Sequence, residues 1–260
     1  MLNIQHFTKT YGEKKAVDDL SLHIAPGEVF GLLGPNGSGK TTAINCMLQL
    51  LTYDKGSIRL FGEDMKPSRY DLKRRIDAGE IRIGGTSIRT DPLACKRKLA
   101  YIPDNPDLYD FMSGIQYLNF IADIFGIPAA ERWARIEPYA DAFELTGDLG
   151  QPISAYSHGM KQKLAIIAAW IHDPKLVIMD EPFVGLDPKA AHLLKGMMRE
   201  LCDAGGAIFF STHVLEVAEK LCDKVAIIKG GRLIRSGTME EVKGDDSLED
   251  VFLELEDASC

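Results

Sequence analysis

The chain has 260 residues, 45% hydrophobic and 26% charged, with a net charge of −8. That length and balance fit a soluble globular protein, built as one large α/β domain or two smaller lobes. The acidic balance speaks against a nucleic-acid surface, so no nucleic-acid partner is expected. Five cysteines (Cys46, Cys95, Cys202, Cys222 and Cys260) form no CxxC pair and are odd in number, which favours a reduced, intracellular chain without a disulfide framework. The longest apolar run, "LAIIAAWI", is far short of the roughly 20 residues that span a bilayer. The opening "MLNIQHFTKTYGEKK" lacks the apolar stretch of a signal peptide. The chain is expected to be cytoplasmic, with any membrane role coming through a partner.

In chain order, the first informative stretch is "EVFGLLGPNGSGKTTAINCMLQLL". A short apolar strand, Val29–Leu33, runs into a glycine-rich turn. The turn opens a helix with apolar residues at Ile44, Met47, Leu48 and Leu51. Gly34, Gly39, Lys40 and Thr41 fit the G-x-x-x-x-G-K-[ST] pattern. Glycines let backbone N–H groups close on phosphate oxygens, the helix N-terminus favours an anion, and Lys40 reaches the outer phosphates. The Thr41 hydroxyl can ligate Mg²⁺. Either the turn is glycine-rich by chance, or the candidate nucleotide-holding residues are Gly34, Pro35, Asn36, Gly37, Ser38, Gly39, Lys40, Thr41 and Thr42.

Residues 54–76 and 77–99 then align without a gap, sharing Asp, Gly, Ile, Arg, Gly, Lys and Arg. Either the segment is a tandem duplication that adds a hairpin to an antiparallel β lobe, or two cheap G-x-I-x-I hairpins resemble each other by chance. The basic runs Lys73–Arg75 and Lys96–Lys98 within it read as solvated faces, with contact to anionic lipid as the sharper alternative.

Next come helices. "SGIQYLNFIADIFGI" spaces Ile115, Leu118, Ile121 and Phe125 as one apolar face. "AAERWARIEPYADAFEL" reads as a second helix that Pro138 breaks or bends. "AYSHGMKQK" sets Ser157 beside His158, which invites a nucleophile-and-base reading. Neighbouring residues point different ways on a helix or strand, so that reading is weak. An ordinary serine N-cap is the plain alternative.

Two further apolar strands follow. "KLVIMDEP" ends in Asp180 and Glu181: an acid here can serve Mg²⁺, and its neighbour can polarise an attacking water, or the pair merely ends the strand. "AIFFSTH" delivers His213 to a strand end, where parallel sheets bind ligands. "DKVAIIKGGRLIRSGTMEEV" reads as a hairpin with a two-glycine turn and a short helix, and "SLEDVFLELED" as a final helix.

This ordered set resembles the ATP-binding subunits of ABC transporters, over nearly the whole chain. "KTYG" is similar to the A-loop, with Tyr11 stacking on adenine. "GPNGSGKT" resembles Walker A, "LVIMDE" Walker B, "VGLD" the D-loop with Asp187, and "STH" the switch histidine, His213. "YSHGM" stands where the family has its LSGGQ signature. The resemblance implies an α/β P-loop core with a mostly parallel sheet, an antiparallel β lobe and a helical subdomain. The core and lobe take about residues 1–103 and 170–237, the helical subdomain about 104–169, and a helical tail about 238–260.

It also implies ATP and Mg²⁺ as cofactors. Thr41 and Asp180 would serve the metal, Glu181 would be the general base, and His213 would position γ-phosphate and water. Ser157 and Gly159 would grip the ATP of an opposite subunit, in a head-to-tail homodimer or a pairing with a second ATPase subunit. The chain departs from the family at His158 (usually glycine), at Met160 (usually glutamine) and at Asp104, in "LAYIPDNPDLYD", where a metal-sensing glutamine is usual. A carboxylate there can still serve Mg²⁺. The implied partner is a transmembrane permease beside the helical subdomain, which places the chain peripherally on the inner face of the cell membrane. The tail is most similar to exporter subunits for drugs, bacteriocins or lipids. Two other functions remain open: a non-transport ABC ATPase acting on ribosomes or DNA, and a regulatory module that holds ATP without turnover.

Overall fold

The computed structural model describes residues 1–48, 50–51, 54–60, 63–65, 96–244 and 246–257. Ten strands appear among them. In chain order they are β1 (Leu2–Tyr11), β2 (Lys14–Ile24), β3 (Val29–Leu33), β4 (Lys55–Leu60), β5 (Glu63–Met65), β6 (Leu99–Ile102), β7 (Leu176–Asp180), β8 (Ala207–Thr212), β9 (Lys224–Lys229) and β10 (Arg232–Thr238). They form one sheet in the order β5-β4-β1-β2-β10-β9-β3-β8-β7-β6. The run β9-β3-β8-β7-β6 is parallel, whereas β1, β2, β4 and β5 pair antiparallel. The α/β architecture is therefore the expected one, with a mixed sheet that is parallel at its centre.

The parallel strands are apolar almost throughout because both faces are covered, which is the usual state of a parallel sheet. Alternate side chains feed two cores. Leu33, Met179, Phe210 and Ile227 go to one face, and Phe30, Leu32, Ile178, Phe209 and Ile228 to the other. The second face is closed by α1 (Lys40–Met47), through Ala43, Ile44, Cys46 and Met47. The spacing that suggested a longer helix is explained by Leu48 and Leu51, which pack on the same core after the helix has ended.

The first face carries the larger helical layer. α2 (Gly114–Phe125) is fixed at its start by a Ser113–Gln116 capping box and stopped by Gly126 at φ +72°. α3 (Ala129–Ala142) follows. Pro138 lies inside α3 and does not end it. The carbonyl that Pro138 leaves unpaired belongs to Ala134, and both residues are exposed, so water can satisfy it. Buried Ile136 and Ala140 hold the helix to the core on the opposite side. Then come α4 (His158–Trp170), α5 (Pro188–Asp203), α6 (Leu215–Leu221), α7 (Met239–Lys243) and α8 (Leu248–Asp257). No helix of the described residues is long and apolar enough to cross a membrane. Cys46, Cys202 and Cys222 are buried.

Of the repeat, β4 and β5 form an antiparallel hairpin at the sheet edge within the first copy. Residues 66–95, which hold most of the second copy, and Lys73–Arg75 lie outside the described residues.

One titratable group sits in the helical layer. The His172 ring stacks on Phe125 at 3.6 Å, and its Nδ1 is buried without a partner. Burial pushes its pKa from 6.5 down to about 4, against smaller opposing pulls from backbone groups of His172 and Arg97 and from Asp173. The fold thus favours the neutral ring, and this contribution is complete above pH 6.5 and lost as pH falls toward 4. Denaturant unfolding should lose on the order of 1–3 kcal/mol over that window from this group. His172→Phe should remove that part of the acid sensitivity.

Candidate nucleotide-binding site

Strand register brings the chemistry together. Leu33 pairs with Thr212, Asp180 with Ser211, and Ile102 with Met179. All four strands run the same way, so Gly34, Glu181, His213 and Asp104 leave the sheet at one carboxyl edge. Ligands of open α/β sheets bind at that edge.

The turn after β3 is shaped by the absence of side chains. A Cβ on Gly34 would lie 2.3 Å from the Ile228 carbonyl oxygen and 2.6 Å from Ser38 Oγ. Gly39 takes φ +107°, and a Cβ there would lie 2.3 Å from the Ala16 carbonyl oxygen. The β9–β10 turn closes on the same spot: the Gly231 N–H donates to Ser38 O at 2.9 Å, and the Asp18 N–H donates to Gly231 O at 2.7 Å. Gly39 caps α1 without any side-chain hydrogen bond, leaving the first N–H groups of the helix facing the cleft uncapped. Ser38 Oγ is buried and has no partner.

The charged groups gather around this turn. Lys40 is 6% exposed and donates from Nζ to Gly34 O at 2.7 Å and Pro35 O at 3.2 Å, with Glu181 Oε1 3.8 Å away. Burial lowers its pKa, and Glu181 and Asp180 pull it back. Asp180 is 1% exposed and accepts from Thr41 Oγ1 at 2.6 Å and from Ser211 Oγ. Glu181 is bonded to His213 Nδ1 at 2.9 Å and holds a left-handed backbone, φ +46°.

A cleft of about 470 Å³ opens over these groups. It is lined by Tyr11, Asn36, Gly37, Gly39, Lys40, Thr41, Thr42, Asp104, Asp180 and Glu181, all singled out in the sequence. Gly34, Pro35 and Ser38 do not line it: they form the bend from which the wall rises. His213, Ser157, Gly159 and Asp187 do not line it: His213 follows β8 and reaches the cleft only through Glu181, and the other three sit on the starts of α4 and α5. Ser157 is the N-cap of α4, accepting from the Met160 N–H at 3.2 Å. Asp187 caps α5 and pairs with Lys163 at 2.6 Å, and Lys163 and the Ala190 N–H together hold its carboxyl below the usual range.

Lys14, Lys15, Ala16, Gly230 and Gly231 also line the cleft and were missed. "GG" in the tail signalled a turn, but nothing local tells that this turn meets a loop some two hundred residues earlier.

The uncapped helix end and the glycine cradle fit a chain of phosphates. A hydroxyl beside a buried carboxylate fits a hard divalent cation. Fold and cleft together define a P-loop nucleotide-binding protein.

Residues 17–184 match the ABC transporter family. The chain is 37% identical over 229 residues to the Nod factor export ATP-binding protein I of Paraburkholderia xenovorans, covering 88% of this chain and 68% of that one. It is 31% identical to the ABC-type transporter ATP-binding protein EcsA of Bacillus subtilis, covering 98% of this chain and 96% of the relative. Among solved structures, the ATP-binding subunit of an ABC transporter superposes with a TM-score of 0.83 at 31% identity, covering 98% and 99% of the two chains. A dimeric ATP-binding cassette bound to ADP and Pi has the same fold, with a TM-score of 0.76 at 20% identity over 92% and 99%. The chain belongs to the ABC transporter family, as an ATP-binding subunit with ATPase activity.

The glycine cradle can be tested directly. Gly34→Ala forces a methyl into backbone and should cost about 1–3 kcal/mol of stability. It should also weaken binding of a fluorescent ATP analogue at least tenfold. Gly37→Ala meets nothing within 4 Å but keeps φ near +78°, so its cost should be about 1–2 kcal/mol of strain, with the cradle retained.

Proposed function

We propose that this chain binds Mg-ATP in the cleft, closes head to tail on a second ATPase subunit, and drives a separate transmembrane permease, in the export direction. The observation that carries the reading is the convergence of Lys40, Thr41, Asp180, Glu181 and His213 around one uncapped helix end.

On this reading Tyr11, at the cleft mouth, stacks on adenine. Asn36, Gly37 and residues 39–42 hold the phosphates by backbone N–H groups, and Lys40 turns its ammonium from the loop carbonyls to the outer phosphates. Thr41 and Asp180, with Asp104 across the cleft, hold the Mg²⁺, which offsets phosphate charge. Glu181 takes the proton of the attacking water. His213, bonded to Glu181, orients the carboxylate and contacts the γ-phosphate. Ser157 and the Gly159 N–H complete the opposite subunit's site, and Asp187 communicates across the dimer.

Export rests on the relative named for Nod factor export. Permease contact rests on an aromatic cluster in the helical layer. There Phe111 is 80% exposed and its ring lies 5.7 Å from that of Tyr109, which in turn meets Tyr117 and Phe120. Lys161 on α4 ties this loop to the signature helix by pairing with Asp110 at 2.7 Å. This surface would hold the chain on the inner face of the membrane.

Glu181→Gln should keep ATP binding and lose about 10²–10⁴-fold in turnover, the usual share of a general base. Turnover within twofold of wild type removes Glu181 from that role. Lys40→Ala should instead weaken ATP binding itself.

The trans grip is separable from helix capping. Aspartate caps a helix about as well as serine but repels phosphate. In a Glu181→Gln background, Ser157→Asp should therefore keep thermal stability near wild type yet abolish Mg-ATP-dependent dimers in sedimentation velocity. Equal dimerisation would leave Ser157 as a cap alone. For direction, vesicles holding the chain and its permease, with ATP on the chain's side, should accumulate substrate on the far side. Loss of substrate from the far side would show import.

A further inference from the structure

The sequence places histidine at position 158, where the resemblance calls for glycine, and the nucleotide cleft leaves it unused. The structure puts its ring to work elsewhere. A Cβ built on Gly185 would lie 2.4 Å from His158 Cδ2 and 3.0 Å from Nε2, so the imidazole edge occupies the space above that glycine. Gly185 sits at φ +80° in the loop between Glu181 and Asp187. The approach is mutual, since a Cβ on Gly159 would lie 2.6 Å from the Gly185 carbonyl oxygen. Two glycines, one from each segment, thus allow the start of α4 and this loop to touch. The ring itself makes no hydrogen bond or ion pair among the described residues.

The contact does not stand alone. One turn along α4 from Gly159, Lys163 pairs with Asp187 at 2.6 Å, on the same helix face. Asp187 in turn accepts from the Ala190 N–H at 2.8 Å and so starts α5. Between these points the loop is a pair of consecutive turns, with Val184 N–H donating to Glu181 O at 3.1 Å and Leu186 N–H to Phe183 O at 3.3 Å. Its first residue, Glu181, is pinned by its N–H to Ser211 O at 3.1 Å and by its side chain to His213. A short, turn-rich tether therefore runs from the start of α4 to the Glu181–His213 pair.

We propose that His158 is a positioning residue: its ring clasps Gly185, so that a phosphate gripped at the start of α4 sets the placement of Glu181 at the other end of the loop. This rests on the dimer reading above. There, the start of α4 serves the partner's nucleotide while Glu181 serves the chain's own, so the clasp links the two sites of a dimer. Glycine at position 158 would leave the space over Gly185 open and the tether slack at that end.

The test is a double-mutant cycle between His158→Gly and Gly185→Ala, with His158→Phe as the variant that keeps a ring without a titratable nitrogen. Gly185→Ala carries its backbone strain in every background, but the clash with the ring only where the ring is present. It should lower turnover about tenfold or more in the chain that keeps His158 and about threefold or less in the His158→Gly background, the kind of non-additivity that contacting residues show. His158→Gly alone should leave affinity for a fluorescent ATP analogue unchanged and reduce the Hill coefficient of ATP turnover. His158→Phe should restore the coefficient. Equal effects of Gly185→Ala in both backgrounds, or a Hill coefficient unmoved by His158→Gly, would overturn the clasp while Mg-ATP-dependent dimerisation of the Glu181→Gln chain stays intact. Absence of that dimer would instead overturn the dimer reading, and the clasp with it.

Discussion

The carboxylate of Asp180 is the group on which the site depends. It is buried at the end of β7, and a buried charge is costly unless other groups answer it. Two hydroxyls do so, Thr41 Oγ1 from the start of α1 and Ser211 Oγ from β8. Acceptor and donors come from three separate stretches of chain, and they meet only because β3, β8 and β7 lie side by side in parallel register. Two hydroxyl dipoles do not neutralise a full charge. On the proposed reading a divalent cation completes the balance, so the same burial that strains the fold selects for the ligand.

Much of this was legible in the sequence where it depends on local pattern. The strand over Val29–Leu33 is β3 at the residues expected, because a run that is apolar at every position suits a strand covered on both faces. The glycine spacing placed Gly34 and Gly39 at the two points where a side chain would strike backbone. Pro138 does not break its helix, because the carbonyl it orphans belongs to an exposed residue, which the sequence does not record. Lys14, Lys15, Gly230 and Gly231 were invisible as cleft residues because long-range pairing of β2 with β10 puts them there. The His158–Gly185 contact was hidden for the same reason.

Ser157 is an N-cap, and that role is compatible with the proposed trans grip. Its hydroxyl caps α4 in the single chain, which answers an orphan N–H and fixes the helix start. The N–H groups left over at that helix end keep their positive character, which is what a phosphate requires. Capping and phosphate binding draw on the same local electrostatics, so the plain reading supports the sharper one. A nucleophile would need a base within reach, and the neighbouring imidazole is instead turned onto Gly185.

The net charge of −8 poses a last problem, because the ligand is a polyanion. The cleft does not solve it by side-chain charge: its lining holds Lys14, Lys15 and Lys40 against Asp104, Asp180 and Glu181. Lys15 is in addition committed to Asp18 at 2.8 Å. The attraction must therefore come from elsewhere in the wall. On the proposed reading the uncapped N–H groups of α1 and the glycine loop supply it without any formal charge. On the proposed reading the three acids stand near the outer phosphates, where each adds repulsion that a cation removes. On that reading the arrangement would favour the metal complex of a nucleotide over the bare anion. Asp104, standing where the family usually has a neutral amide, would strengthen that bias. On the proposed reading an acidic chain holds ATP through its backbone, and its side chains decide in what ionic form ATP is held.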